Sequence, residues 1–245
     1  MSLVVIAETL RRHLAHLGYI AALLMLIIIV VTMSAIGAPS QAPYEMISLF
    51  ALIAGCQLIG PEFSSGTLQL ILSKPIGRST YLVSRVAGVA LAIWVAIAVM
   101  FTSDVVGRLI ADTPIVWRTA AAAALVSALK VLFVCSLMAF LGSFSRSYVN
   151  VGIYIGAQIL MPMVFGLLSM MKNAVSGEMG AIGAFLRAHP SVIDAMGTVN
   201  KNLFPDAPFV PFDRNWIIML LSNASVALLL ACVIFSRREV PYGAD

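Results

Sequence analysis

The sequence predicts an all-α membrane protein with six transmembrane helices, an N-terminal interfacial helix and a long segment before the last span. Composition, the placing of apolar runs and the distribution of basic residues carry that reading. Of 245 residues, 61% are hydrophobic and only 11% charged, which leaves too little charge to keep the surface of a soluble domain dispersed. A bilayer removes the difficulty. A spanning helix needs about 20 mostly apolar residues, and six stretches qualify, near residues 18–36, 44–60, 86–107, 119–142, 148–171 and 215–235. Residues 1–245 therefore read as a single membrane domain.

Ahead of the first span, Leu3, Ile6, Ala7, Leu10, Leu14 and Leu17 recur at helical spacing while Glu8, Arg11 and Arg12 face elsewhere. Such a helix lies along the headgroups with its apolar stripe in the membrane; the alternative is a plain extension of the first span. Arg11 and Arg12 before an apolar run, with small residues at Ala35–Ala38, resemble a secretory signal. Five further spans follow, so an uncleaved first span is expected. The third to fifth spans need little comment beyond Ala120–Ala124, whose small side chains suit close helix packing, and Pro162, which is expected to bend the fifth span near Gln158 and Gly166. The segment 172–214 carries Pro190, Pro205, Pro208 and Pro211 and cannot form one continuous helix. A short amphipathic helix near Ala181–Ala188 is expected in it, and whether it re-enters the membrane is open.

An even number of spans puts both termini on one side. If that side is the cytoplasm it holds Arg11, Arg12, Lys74, Arg78, Arg85, Arg146, Arg237 and Arg238, against Arg108, Arg118, Lys172, Arg187, Lys201 and Arg214 outside. The excess is small, but the inner residues cluster beside span ends, as the positive-inside rule asks. Cys56, Cys135 and Cys232 fall within apolar stretches without metal spacing, which suggests packing rather than disulfides or zinc. His13, His16 and His189 read as solvated or interfacial, and no metal site is expected.

Between the second and third spans, the run from Gly60 to Arg85 is neither a span nor an ordinary loop. It offers a short helix from about Ser65 to Ser73, a stop at Pro75, a turn at Gly77 and a restart near Ser79 as a possible N-cap. Leu68, Leu70, Ile71 and Leu72 exceed what a solvated loop needs, so the rest of the chain or a partner must cover them.

This segment resembles the permease subunits of type-2 ABC transporters, in which an acidic residue, a Gly-Thr-Leu, an apolar run, a Pro and an Arg stand between the second and third spans. Glu62, Gly66, Thr67, Leu68, Leu72, Pro75, Arg78 and Tyr81 fall in that order. Arg85 stands where the family often has Lys, which keeps the charge but changes its hydrogen-bonding geometry. Leu141–Ser147 is similar to the family's short turn between the fourth and fifth spans. The resemblance implies that the segment is a cytoplasmic coupling helix docking on an ATPase. Leu68, Leu70, Ile71 and Leu72 would supply its apolar faces, and Glu62 and Arg78 would hold its ends. It also implies two ATPase subunits, which would bind the ATP and Mg, a second permease, identical or related, and a bacterial inner membrane with both termini cytoplasmic.

The phosphate-cradling pattern Gly-x-x-x-x-Gly-Lys-Ser/Thr occurs nowhere in the sequence, so no cofactor is expected in this chain. His-Glu-x-x-His, Gly-x-Ser-x-Gly and paired intramembrane carboxylates are also missing, which weakens an intramembrane enzyme, and nothing suggests nucleic-acid binding. An ion-coupled carrier or channel is the other alternative, but Glu45 and Asp104 lie near the ends of their spans rather than at mid-membrane. Lys130 does sit deep. It is a candidate for the translocation path together with Gln158 and Pro162, or its stem snorkels to a polar neighbour.

Overall fold

The computed structural model describes residues 2–39, 47–56, 77–144, 147–173 and 214–237, with single positions at 44, 58, 188, 189, 191, 194, 195, 197 and 198. Its elements are α-helices: α1 (Leu3–Ala15), α2 (Leu17–Ala35), α3 (Ile47–Cys56), α4 (Arg78–Ile110), α5 (Trp117–Gly142), α6 (Ser147–Asn173) and α7 (Arg214–Arg237). No strand occurs among the described residues. Four helices there are long and apolar enough to cross a bilayer, namely Leu17–Ala35, Arg78–Ile110, Trp117–Gly142 and Asn215–Arg237. Within α6 a shorter apolar stretch, Val149–Val164, is seen. The chain divides into two compact units, Met1–Val151 with Pro208–Asp245, and Gly152–Ala207.

In the first unit α4 and α5 form the core. More than half of each apolar window is buried, against about a fifth in α2 and α7. α4 packs against α1, α2, α3, α5 and α7, and α5 also receives α3 and α7. Close approach needs small residues, and glycine supplies it at two levels. A Cβ on Gly88 would stand 2.7 Å from the Thr9 Cβ, so α1 crosses α4 there. A Cβ on Gly107 would stand 2.9 Å from the Ser34 Cβ and 3.1 Å from the Val31 carbonyl, so α2 crosses α4 there. Between the two crossings the Tyr19 hydroxyl donates to the Ala92 carbonyl (2.6 Å) and the Tyr19 ring meets Phe50 edge-on.

α1 is a helix of its own. The chain leaves the helical conformation at His16 (φ −74°, ψ 124°), whose ring accepts from the Gly18 N–H to start α2. α4 begins at Arg78 with Gly77 as N-cap rather than at the expected Ser79, because nothing between Arg78 and Val86 interrupts the helix. Asp112, in the left-handed region at φ 51°, turns α4 towards α5. In the second unit α6 remains helical through Pro162.

Candidate functional site

The expected docking helix, with Glu62, Gly66, Thr67, Leu68, Leu70, Ile71, Leu72 and Pro75, lies outside the described residues, as does the expected Ala181–Ala188 helix but for its last residue. What the structure does describe is the pair of points between which that segment runs, Leu58 and Gly77. A side chain holds the bundle at each.

At the first point Arg85, on the second turn of α4 and 8% exposed, donates from Nε to the Leu58 carbonyl (3.3 Å) and from a terminal nitrogen to the Thr9 hydroxyl (3.4 Å). One guanidinium thus joins α1, α4 and the chain just past α3. Its planar fork allows this, since several N–H groups point in fixed, diverging directions. α1 is clamped further by the Ser2 N–H, which donates to the Ser84 hydroxyl (2.8 Å). His13 stands one turn beyond Thr9, donates from Nδ1 to the Thr9 carbonyl (2.9 Å) and abuts the Ala54 backbone. Burial pushes the His13 pKa below its usual value despite the Thr9 carbonyl, and the Arg85 charge lowers it further. On the outer face of α1 the Glu8–Arg12 pair is solvated (2.8 Å), and the hydrogen bond from Arg12 lowers the Glu8 carboxyl's pKa.

At the second point Arg78, the first residue of α4, donates to the Ser236 carbonyl near the end of α7 (3.3 Å). A cation at a helix C-terminus satisfies a carbonyl that has no partner within the helix and complements the dipole there.

The opposite end of α4 carries a buried ion pair. Arg108 donates from Nε to Asp104 Oδ1 (3.0 Å) and from a terminal nitrogen to the Ala38 carbonyl (2.7 Å), and the Ser34 hydroxyl donates to the same Oδ1 (2.5 Å). Asp104 is 1% and Arg108 7% exposed. Asp104 Oδ2 and the buried Tyr44 hydroxyl have no hydrogen-bond partner among the described residues. Arg85 and Asp104 are nineteen residues apart on one helix, or roughly 28 Å at 1.5 Å per residue. That matches a hydrocarbon core of about 30 Å. The two polar clusters thus stand about one hydrocarbon core apart along α4.

Of the candidates for a path, Lys130 is half-buried on α5 in the first unit. Gln158 and Pro162 belong to the second unit, where Gln158 donates to the Tyr154 hydroxyl one turn back (3.2 Å). Sequence reasoning missed Thr9, Ser34 and Leu58, and read His13 as solvated or interfacial where it is half-buried against Thr9. It placed Arg85 and Asp104 without partners, although the i,i+4 spacing of Asp104 and Arg108 was a readable sign of the pair. Among the described residues no group of His, Cys, Asp or Glu side chains has metal-binding spacing.

Two comparisons bear on identity. The family described as ABC-2 family transporter protein matches residues 41–240. No curated protein matches the chain.

Proposed function

The chain belongs to the ABC-2 transporter family, and from that premise we propose that it is the membrane permease of an ATP-driven exporter whose ATPase subunits are separate polypeptides. The observation that supports the reading is the fastening of the two points that flank residues 59–76, Leu58 held by Arg85 and the start of α4 held to α7 by Arg78. A force applied to that segment by a docked ATPase has short routes into the bundle. Through Arg85 it reaches α1 and the chain end of α3, and through Arg78 it reaches α7. The absence of a phosphate-binding motif from the sequence supports the assignment of ATP and Mg to the partner.

In this reading the Arg85 end faces the cytoplasm with both termini, and the Asp104–Arg108 end faces outward, in a bacterial inner membrane with six spans. Two ATPases bind a pair of permeases, identical or related. ATP binding draws the ATPases together, displaces the two docking segments and tilts the spans that these arginines tie, which opens a path outward. After Gly66 and Thr67, Leu68, Leu70, Ile71 and Leu72 form the docking surface ahead of Pro75, with Glu62 and Arg78 holding its ends.

The test is recovery of the ATPase on affinity-tagged permease. Each buried leucine lost from such an interface costs about 1–4 kcal/mol. Leu68→Ala with Leu72→Ala is therefore expected to remove most of the bound ATPase while the permease still inserts. Equal recovery with the double variant, or none with the native chain, would contradict the proposal.

A further inference from the structure

Between α4 and α5, on the face that α1, α2, α3 and α7 leave uncovered, runs an open groove of about 520 Å³. Trp94 and Phe101 of α4 wall it, and Ala98, Ala121, Ala124 and Ala128 floor it. The α5 positions 121, 124 and 128 share one helical face, as do 94, 98 and 101 on α4. The groove exists because alanines stand where larger side chains would have filled it. Its one hydroxyl, on Thr102, is already spent on the Val99 carbonyl (2.8 Å). The lining thus offers apolar contact and no free hydrogen-bonding group.

The groove's depth and length decide what fits. Trp94 lies nine residues from Arg85 and Thr102 two from Asp104, so the groove runs from about 14 Å above one polar cluster almost to the other at 1.5 Å per residue. That is one leaflet of a core about 30 Å thick. At its deep end the Trp94 indole reaches across and donates to the Ala128 carbonyl (3.1 Å), closing the floor at mid-membrane. A helix of a second chain must cross the whole core, whereas Trp94 closes this groove halfway. An acyl chain of one leaflet matches that length.

The head of the groove has a different chemistry. Trp117 stands one turn beyond Ala121, its ring centroid 6.5 Å from that of Phe101, as an amphipathic ring at the membrane interface does. Beside it Arg118 is exposed and has no acidic partner among the described residues. Both open the first turn of α5, whose N-cap Val116 gives no side-chain hydrogen bond. A cation, a helix start without a side-chain cap and an indole thus share the first turn of α5, at the Phe101 end of the groove.

We propose that this groove is a binding site for one anionic phospholipid, with an acyl chain lying between Trp94 and Phe101 and the phosphate held by Arg118. The inference requires the chain to be embedded in a membrane and is independent of ATPase docking, so the two can fail separately. The chain has three tryptophans, and Trp216→Phe leaves only the two that flank the groove. In vesicles of phosphatidylcholine, the emission of that variant is expected to be quenched more by mid-chain brominated phosphatidylglycerol than by brominated phosphatidylcholine at equal fraction. Arg118→Gln, which disturbs no packed neighbour, is expected to abolish the headgroup preference. Ala121→Leu with Ala124→Leu is expected to lower quenching by both lipids. Equal quenching by the two headgroups in the parent, or a preference that survives Arg118→Gln, would overturn the proposal. So would efficient disulfide formation between two copies carrying Ala121→Cys in a background free of native cysteines, which would assign the groove to a second copy.

Discussion

Arg108 and Asp104 stand one helical turn apart and are almost wholly removed from solvent. Burying two charges is costly, and the pair persists because Ser34 and the Ala38 carbonyl satisfy further hydrogen-bonding positions. Removing one partner leaves the other charge buried alone, which costs about 3–5 kcal/mol. Arg108→Met is therefore expected to lower thermal stability in detergent sharply, whereas Arg108→Met with Asp104→Leu recovers most of the loss because no charge remains. Unfolding followed by tryptophan emission reads both, and similar loss in the single and double variants would contradict the account. From the sequence, the acid and base at i,i+4 spacing were readable. Ser34 was not, since seventy residues separate it from Asp104 and only the crossing at Gly107 brings them together.

At the scale of elements, α1 shows how hydrophobic periodicity can leave out a contact face. Leu3 and Ala7 of its apolar stripe are exposed and Leu10 and Leu14 half-buried, which suits a helix lying in the membrane interface. The break at His16 separates it from α2, so the alternative of a plain extension of the first span does not hold. The face against α4 is the more polar one, with Thr9 and His13, and hydrophobic periodicity alone could not indicate it. His13 is neutral when docked, its pKa lowered mainly by burial. The undocked side chain titrates near its ordinary value of about 6.5 and so binds more protons in the interval below that. Docking strength is accordingly full above about pH 6.5 and falls as the pH drops towards the lowered pKa of the docked state. Glu8, held below its ordinary value by Arg12, stays ionised through this window. Hydrogen exchange of α1 amides, corrected for intrinsic rate, is expected to lose protection between pH 7 and pH 5, and His13→Gln to flatten that dependence. Protection independent of pH in the native chain would contradict it.

At the scale of the molecule, the spans read best from sequence are α2, α4, α5 and α7, because each is a long apolar run bounded by polar residues. The start of α4 was less legible: its first two turns mix Arg78, Ser79, Thr80 and Arg85 with apolar residues, so hydropathy falls there while the helix continues. Tertiary partners explain why that mixture is stable, since Ser84 and Arg85 face α1 and Arg78 meets α7. The Gly-Thr-Leu segment was legible only as a resemblance, which the family match over residues 41–240 agrees with; its conformation lies outside the described residues. Lys130, half-buried near the middle of α5, is expected to act on the path. Lys130→Met should reduce transport while assembly and basal ATP hydrolysis persist, and unchanged transport in an assembled complex would contradict that role.

The central claim, that the segment between Leu58 and Gly77 receives the ATPase, is tested most directly by placing a photo-reactive residue at Leu70 in the native complex. Illumination in membranes is expected to yield an adduct between this chain and the ATPase, and the same residue placed at the exposed Leu229 within the span of α7 is expected to yield none. Adducts from position 70 confined to lipid or to the permease itself, while the ATPase still co-purifies, would contradict the account.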